Sequence, residues 1–174
     1  AYLDGLPSPI LIHSVGTESV LPDYAVESAL LAPAAASARY GDLIGAVLGL
    51  GLRSPRSDRI GGFLQPGFSM ASGAIEGPIT KKSRFYIGFR RSYYEAIFAL
   101  FFPKDAVVDF ATVPLLQDQQ VVLETDLLDW MTLKFAYLGT LDAINILSRE
   151  DDDGRQERVF SRNTILNRFQ LELE

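Results

Sequence analysis

Apolar and polar side chains alternate with a period of two along the second part of the chain. In segment 83–94, Phe85 and Phe89 fall on one face of an extended chain, whereas Arg84 and Arg90 fall on the other. The same alternation occurs in segments 117–129, 130–141 and 163–174. Segments of about ten residues with one apolar and one polar face are typical of antiparallel β-strands.

The stretch between residues 56 and 77 is too long for one strand. The dipeptide Pro66-Gly67 near its middle is a strong turn signal. We therefore divide this stretch into two strands. The sequence then predicts six antiparallel strands, which are 56–65, 68–77, 83–94, 117–129, 130–141 and 163–174.

Short and long connections alternate between these predicted strands. Residues 77–83 and 125–129 form short connections, whereas residues 95–114 and 142–159 form long ones. Outer-membrane β-barrels combine tight turns on the inner side with long loops on the outer side. The pattern therefore predicts part of such a barrel, and Trp130 near a strand end fits its girdle of interfacial aromatic residues.

The two long connections differ in composition. Residues 93–105 are mostly apolar and predict a helical turn that ends at Pro103. Residues 149–158 form a charge run, for which we expect a solvated outer loop. This run does not match a calcium-binding EF-hand, because Arg149 occupies the first ligand position when Gly154 is placed sixth.

The first part of the chain contains short strand-like pieces that are broken by turn residues. Residues 22–29 predict one short helix, with Pro22 at its start and Glu27 near its end. The apolar runs 29–33 and 45–52 fit buried strands, although runs this short are ambiguous between strand and helix. This part therefore reads as a small mixed α/β segment.

Composition narrows the possible chemistry. The net charge is −6 and the pI is about 4.8, so the overall field repels nucleic acid. Residues 81–91 interleave basic and aromatic side chains, but their alternation predicts a strand rather than a nucleic-acid interface. The chain has no cysteine and a single histidine, His13. We therefore predict no disulfide, no metal site and no cofactor.

No catalytic motif occurs in the sequence. It contains no Gly-x-Ser-x-Gly elbow, no phosphate loop and no dinucleotide fingerprint. Glu124 and Asp126 lie two positions apart on one strand face, where charge facing a barrel lumen is a simpler interpretation than a catalytic carboxylate pair. We therefore do not expect an enzyme.

Six strands are too few to close a membrane barrel, since the smallest have about eight. An unpaired strand edge within lipid costs several kcal/mol for each backbone group left without a hydrogen bond. We therefore expect the chain to be incomplete on its own, with further strands supplied by more of its sequence or by another chain. The longest uncharged run, residues 60–75, falls short of the ~20 apolar residues of a membrane helix.

Four stretches resemble motifs of the TonB-dependent outer-membrane receptors. AYLDGLP, residues 1–7, resembles a plug strand that ends in Asp-Gly before a proline, and residues 24–41 resemble the stretch in which Val-Glu-Ser leads to Ala-Arg-Tyr-Gly. GDLIGAVLGL, residues 41–50, stands where the family has its final plug strand, with Gly-Ala in place of the usual Gly-Gly. Residues 73–97 resemble the early barrel, with Glu-Gly-Pro at an inner turn and Arg-Arg-Ser-Tyr closing the next strand.

This resemblance implies a fold, a location and a function. Residues 1–55 would form the C-terminal part of a plug domain, and residues 56–174 about six N-terminal strands of a transmembrane antiparallel β-barrel. The implied function is energised uptake of a scarce solute across the outer membrane of a Gram-negative bacterium. The implied partners are the remaining barrel strands, the lipid bilayer and the TonB–ExbB–ExbD motor. Siderophore, vitamin, oligosaccharide and peptide all stay open as the solute.

Five residues are candidates for this function. His13 and Arg90 are candidate ligand contacts, although a packed or capped side chain is the plainer interpretation of a lone histidine among apolar neighbours. Arg53, Arg56 and Arg59 are expected at the plug–barrel junction on the inner rim, where they meet lipid phosphates or water.

Two other functions stay open at this point. One is a structural subunit of a multi-chain outer-membrane barrel, without transport of its own. The other is a soluble β-sandwich that binds a ligand or partner, in which the apolar strand faces would be buried between two sheets. Burial or exposure of Phe85, Ile87, Phe89, Leu133 and Phe135 separates the sandwich from the membrane barrel.

Overall fold

The computed structural model describes residues 1–8, 11–13, 18–33, 40, 45–101, 114–150 and 156–173. The described chain is mainly β, as the alternation predicts, and its strands form two sheets. The chain divides into two compact units, with the main division between Ser54 and Pro55. We call the part up to Ser54 the first unit and the part from Pro55 onward the second unit. Their assignment to plug and barrel stays a prediction.

The first unit contains a four-stranded sheet in the order β2-β1-β4-β3. Its strands are β1 (Tyr2–Leu3), β2 (Leu6–Pro7), β3 (Val26–Pro33) and β4 (Ala46–Leu52). β1 runs parallel to β4, whereas β1–β2 and β3–β4 are antiparallel. Leu3, Val47 and Leu52 are buried, so a small apolar core lies against β1 and β4.

The Asp-Gly pair of the first motif forms the turn between β1 and β2. Asp4 and Gly5 have positive φ angles of 45° and 75°, a conformation that Gly and Asp tolerate better than most residues. The backbone N–H of Asp4 donates to Leu50 O at 2.8 Å, and its Oδ1 accepts from the N–H of Leu52 at 2.8 Å. The aspartate therefore ties this turn to β4.

The prediction of a short helix over residues 22–29 is wrong. The chain makes a single 3-10 turn over Asp23–Ala25 and continues as β3. Isolated helices of this length are unstable in water, whereas pairing with β4 supplies partners along β3. The apolar run 29–33 is a strand, but Leu30 and Leu31 are exposed rather than buried. Among the described residues of the first unit there is no α-helix, so the mixed α/β expectation is not met there.

The second unit is a six-stranded antiparallel meander in chain order. Its elements are β5 (Gly61–Pro66), β6 (Met70–Pro78), β7 (Ser83–Ser92), α1 (Tyr94–Phe101), β8 (Leu115–Leu128), β9 (Met131–Glu150) and β10 (Gln156–Leu173). Each of the six predicted strands overlaps one observed strand, in the same order. α1 lies where a helical turn is predicted, and the predicted stop at Pro103 lies outside the described residues.

β9 and β10 extend further than predicted. They have 20 and 18 residues and occupy most of the connection 142–159, for which a long loop is predicted. The pairing continues beyond Leu141↔Ile165 to Glu150↔Gln156, so backbone hydrogen bonds hold the strands together where the apolar alternation weakens. Residues 151–155, the centre of the charge run, lie outside the described residues.

The two outer strands of this meander each have one partner. Within the described residues, β5 pairs with β6 alone and β10 pairs with β9 alone. The six-stranded sheet is therefore open at both edges. In this described part of the chain, no helix is both long and apolar enough to cross a membrane.

Candidate functional site

The six-stranded sheet carries its apolar side chains on an exposed face. Strand register places apolar residues of β6, β7, β8 and β10 on this face, for example in the row Ile75↔Ile87↔Val121. Ile87 is 46 % exposed and Phe169 is 69 % exposed. The apolar face is defined by Ile75, Ile87, Phe89, Leu123, Phe169, Leu171 and Leu173, all of which are exposed.

The opposite face of the same sheet is buried and carries the charged side chains, together with the buried apolar residues Tyr86, Leu116, Val122 and Ala136. We call it the polar face. Its charged and amide side chains belong to β6 through β10, and Glu124 is only 2 % exposed. The polar face is defined by Glu76, Arg84, Arg90, Asp118, Gln120, Glu124, Lys134, Asp142 and Gln170. Water-soluble sheets have the reverse arrangement, since burying a charge is costly unless it is paired.

Arg84 forms the centre of the largest ion-pair cluster described on the polar face. Its Nε donates to Glu124 Oε2 at 2.7 Å, and its Nη1 donates to Asp126 Oδ2 at 3.1 Å. The hydroxyl of Thr132 on β9 donates to Asp126 Oδ1 at 2.9 Å. One guanidinium therefore binds two carboxylates of β8, and the cluster joins β7, β8 and β9.

A second ion pair lies further along the same two strands. Arg90 Nε and Nη2 donate to Asp118 Oδ2 at 2.8 and 2.6 Å, and both side chains are largely buried. The sequence places Arg90 on the polar face as a candidate ligand contact, and the structure pairs it with a carboxylate that the sequence analysis did not single out. An anionic solute would have to compete with Asp118 for this guanidinium.

Strand register extends the first cluster into a row of alternating charge. Arg84 lies opposite Glu124, Glu124 lies opposite Lys134, and Lys134 lies opposite Glu172. Opposite charges on directly paired positions stabilise a sheet. This row could not be read from the sequence, because alternation fixes the face of each side chain but not its cross-strand neighbour.

Two buried side-chain oxygen atoms on the polar face remain available to accept hydrogen bonds. Among the described residues, Glu124 Oε1 and Gln120 Oε1 accept no hydrogen bond, although both side chains are nearly fully buried. Buried polar atoms normally find a protein or water partner. This face is thus suited to contact with water or with a polar surface rather than with an apolar core.

His13 lies in the first unit and is buried. Its backbone N–H donates to Glu18 O at 2.9 Å, next to an isolated bridge between Ile12 and Ser19. A cavity of about 580 Å³ in this unit is lined by apolar residues that include Ile12 and by the acidic residues Asp23 and Glu27. His13 itself is not among the residues that line this cavity. Its role as a ligand contact stays a prediction.

Of the three arginines predicted at the domain junction, Arg56 and Arg59 share one carboxylate, whereas Arg53 has other contacts. The backbone N–H of Arg53 donates to Ala25 O at 3.0 Å within the first unit. Arg56 and Arg59 flank Asp58, with Nε–Oδ distances of 3.2 and 3.7 Å. The hydrogen bond from Arg56 lowers the pKa of the Asp58 carboxyl below its ordinary value. The Arg59 side chain is 72 % exposed.

No cluster of three or more His, Cys, Asp or Glu side chains suitable for a metal ion occurs within the described ranges. No protein-family model, no curated protein and no solved structure matches this chain. The geometry of the two sheet faces is therefore the basis for any assignment of function.

Proposed function

We propose that this chain is part of a TonB-dependent outer-membrane receptor and takes part in the energised uptake of a scarce solute. On this proposal the first unit belongs to the plug, and the second unit forms six strands of a transmembrane β-barrel in a Gram-negative outer membrane. The observation that carries the proposal is the reversed polarity of the six-stranded meander, with an exposed apolar face and a buried polar face.

A lipid environment gives a physical reason for this reversal. Exposed apolar side chains such as Ile87 and Phe169 are unfavourable in water by about 25 cal/mol per Å² of apolar surface, and that term is removed when they contact acyl chains. A spanning strand needs about 9–11 residues, and five of the six strands reach this length, whereas β5 has 6 residues. β6 and β7 have 9 and 10 residues, and β8, β9 and β10 are longer.

The polar face would line the barrel interior on this proposal. There the paired charges of Arg84, Glu124 and Asp126 stay close to water, which lowers the cost of burying them. The unpaired edges of β5 and β10 would bond to further strands of the complete barrel. The proposal leaves the solute open.

A structural role is the second candidate. The edge of β10 offers up to 18 residues for pairing with a further strand. The backbone hydrogen bonds of this edge can be made by a strand of another chain as well as by a strand of the same protein. In that case the chain is a subunit of a multi-chain barrel without transport of its own. Of the five residues that separate the soluble sandwich from the barrel, Ile87 and Phe89 are exposed, whereas Phe85, Leu133 and Phe135 are half-buried. The exposed pair favours the barrel over the sandwich.

Single cysteines test the membrane assignment, because the natural sequence has none. Cysteine variants at Ile87, Leu123 and Phe169 on the apolar face are compared with variants at Lys81 and Asp129 in the exposed turns. In isolated outer membranes, we expect the three apolar-face positions to react with a lipid-soluble maleimide and not with a charged maleimide. The two turn positions should react with both reagents.

Recovery of the protein in the soluble fraction would contradict the membrane assignment, as would equal labelling of Ile87→Cys and Asp129→Cys by the charged maleimide. A second measurement distinguishes the receptor from the structural subunit. Co-purification of another chain in constant ratio, without solute-dependent growth, would favour the structural subunit over the receptor.

A further inference from the structure

A small cavity interrupts the apolar face of the six-stranded sheet. It has a volume of about 180 Å³ and lies over β8, β9 and β10. Strand register places Gln119, Gly139 and Asn167 side by side, and we call these three positions the notch row. Gln117 and Tyr137 also line the cavity. We call the side chains of Gln117, Gln119, Tyr137 and Asn167 the amide notch.

The amide notch belongs to the apolar face, because strand register continues the notch row to Phe89 of β7. The neighbouring row toward the β8–β9 turn contains Phe169, Val121 and Ile87. An apolar surface therefore adjoins the notch on the side of this turn.

Tyr137 directs its hydroxyl out of the apolar row and into the notch. Its ring packs against Phe169, with 5.0 Å between the ring centroids, and its hydroxyl donates to Asn167 Oδ1 at 2.9 Å. The side chain passes over Gly139, where a Cβ would lie 2.5 Å from the hydroxyl oxygen. Amphipathic side chains extend their polar ends away from an apolar phase. The direction of Tyr137 therefore indicates that the apolar phase ends near the notch row.

The notch offers hydrogen-bond donors. Because Asn167 Oδ1 accepts from Tyr137, the amide N–H groups of Asn167 are left for another acceptor. In the described part of the chain, the side chains of Gln117 and Gln119 form no hydrogen bond with protein. Amide groups without a hydrogen bond are costly in hydrocarbon, whereas the ester carbonyl oxygens of lipids accept one.

Charge on this face begins in the row beyond the notch row. There Gln117 lies opposite Arg91 of β7, which is exposed. Between the row that contains Thr125 and the row that contains Gln119, the described strands β7 to β10 carry no charged residue on the apolar face. A charge that faces lipid is costly at the middle of a bilayer and nearly neutral at its interfaces. The notch therefore separates an uncharged part of the face from a charged part.

The distance from the notch to the opposite end of the sheet agrees with a membrane. Trp130 lies in the β8–β9 turn and is 77 % exposed, and Gly139 follows nine residues later. At ~3.4 Å per residue and a tilt of about 40° from the membrane normal, this stretch rises about 23 Å. The apolar band of outer-membrane barrels is about 25 Å tall, and tryptophan is enriched at its borders.

We propose that the amide notch binds the ester region of membrane lipids and ends the hydrocarbon layer at the notch row, on the side of the sheet away from the short turns. The proposal rests on the membrane assignment given above. Ile165 is the most informative position, because it is apolar and 67 % exposed but lies one row beyond the notch row. Hydrophobicity alone places Ile165 among acyl chains, whereas this boundary places it among lipid headgroups.

Spin labels on single cysteines measure depth in the membrane, and the natural chain has no cysteine to replace. Labels at positions 169, 165 and 163, which share the apolar side of β10, are compared in isolated outer membranes. Oxygen dissolves in hydrocarbon and a charged nickel complex stays in water, and both relax the label by collision. We expect nickel collisions at position 165 to be about tenfold more frequent than at position 169, a difference in access equivalent to about 1.4 kcal/mol. Position 163 should resemble position 165.

Leucine substitutions test whether the amides cause this boundary. Asn167→Leu combined with Gln119→Leu removes donors from the notch row, so acyl chains should reach further along β10 and most of the nickel access at position 165 should be lost. Asn163→Leu is the matched control, because it removes an exposed amide on the same side of β10 beyond Ile165, and it should leave that access unchanged. The amount of protein in the outer-membrane fraction checks assembly, and Gln119→Leu alone replaces the double variant if that variant does not assemble.

Low nickel access at both 165 and 169 would overturn the proposal, since the hydrocarbon would then extend past the notch. Unchanged access at 165 in the leucine variants would also overturn it. Labels at 119 and 167 that are immobile and shielded from both oxygen and nickel would assign the notch to a protein contact instead of lipid. These three results leave the membrane assignment intact, whereas high nickel access at position 169 itself would reject that assignment.

Discussion

Arg84 on β7 and Glu124 on β8 form a buried ion pair across neighbouring strands, with 2.7 Å between Nε and Oε2. The same guanidinium also binds Asp126, so one cation holds two carboxylates that lie two residues apart on β8. Glu124 has a further cation nearby, since Lys134 on β9 lies opposite it. The contacts to Arg84 matter to the stability of the sheet, because an unpaired charge in a low-dielectric site is costly.

Replacement of Glu124 by glutamine should destabilise the second unit by about 1.5–3 kcal/mol, the range for a hydrogen bond to a charged group. The larger penalty for an uncompensated buried charge does not apply, because Arg84 keeps its ion pair with Asp126. Urea unfolding in detergent micelles, followed by Trp130 fluorescence, measures the change. Asp129→Asn, in an exposed turn, is the matched control and should leave the unfolding midpoint unchanged. Equal midpoints for the two variants would contradict the role of the cluster.

A charge on the apolar face distinguishes a lipid environment from a watery one. We expect Ile87→Arg to cost about 2–4 kcal/mol if Ile87 faces the middle of a bilayer. On the exposed surface of a water-soluble protein the same change is nearly neutral, within about 0.5 kcal/mol. The amount of folded protein in the outer-membrane fraction gives the result, with Asp129→Arg as the control. Normal assembly of Ile87→Arg would count against lipid contact.

Gly88 lies beneath the side chain of Tyr86 on the polar face. A Cβ at position 88 would lie 2.5 Å from Tyr86 Oη and 2.8 Å from Gln120 Oε1, and both of these side chains are buried. We expect Gly88→Ala to destabilise the protein by about 1–3 kcal/mol, as overpacking does.

The cause of that effect can be isolated by a double variant. Tyr86→Phe removes the hydroxyl and should restore part of the stability lost in Gly88→Ala, so that the two changes are not additive in urea unfolding. Gly49→Ala is the control, because its nearest neighbour, Leu30 Cβ, lies at an ordinary 3.8 Å. Additive losses would show that Tyr86 is not the obstacle.

Asp58 should titrate below the ordinary range of an aspartate. Its folded-state pKa is lowered, chiefly by the hydrogen bond from Arg56, so its ion pair stabilises the fold at pH values above the ordinary pKa. That contribution is lost as the pH falls through the lowered pKa. Arg56→Gln should move the pKa of Asp58 upward, which carboxylate NMR measures directly. An unchanged Asp58 titration in this variant would exclude Arg56 as the cause.

The strands and their two faces were predictable from the sequence because side-chain alternation records them directly. Phe85 and Arg84 differ in polarity at neighbouring positions, and the structure places them on opposite faces of β7. The full length of β9 was not predictable, since its C-terminal part is held by backbone pairing with β10 rather than by an apolar pattern.

The site was predictable only in part. Arg90 could be placed on the polar face, but its partner Asp118 depends on the pairing of β7 with β8, which no local pattern specifies. The helix predicted over residues 22–29 failed because the partner strand of that segment lies about twenty residues further along the chain.

The Arg90–Asp118 pair also bears on how the sheet avoids misalignment. Sliding β8 by two residues along β7 keeps every apolar side chain on its proper side, so hydrophobicity cannot reject that error. Such a slide places Arg90 opposite Gln120 in one direction and opposite Leu116 in the other, and both separate it from Asp118. The buried ion pair therefore selects the observed register over registers shifted by two residues, which burial of apolar side chains alone does not distinguish.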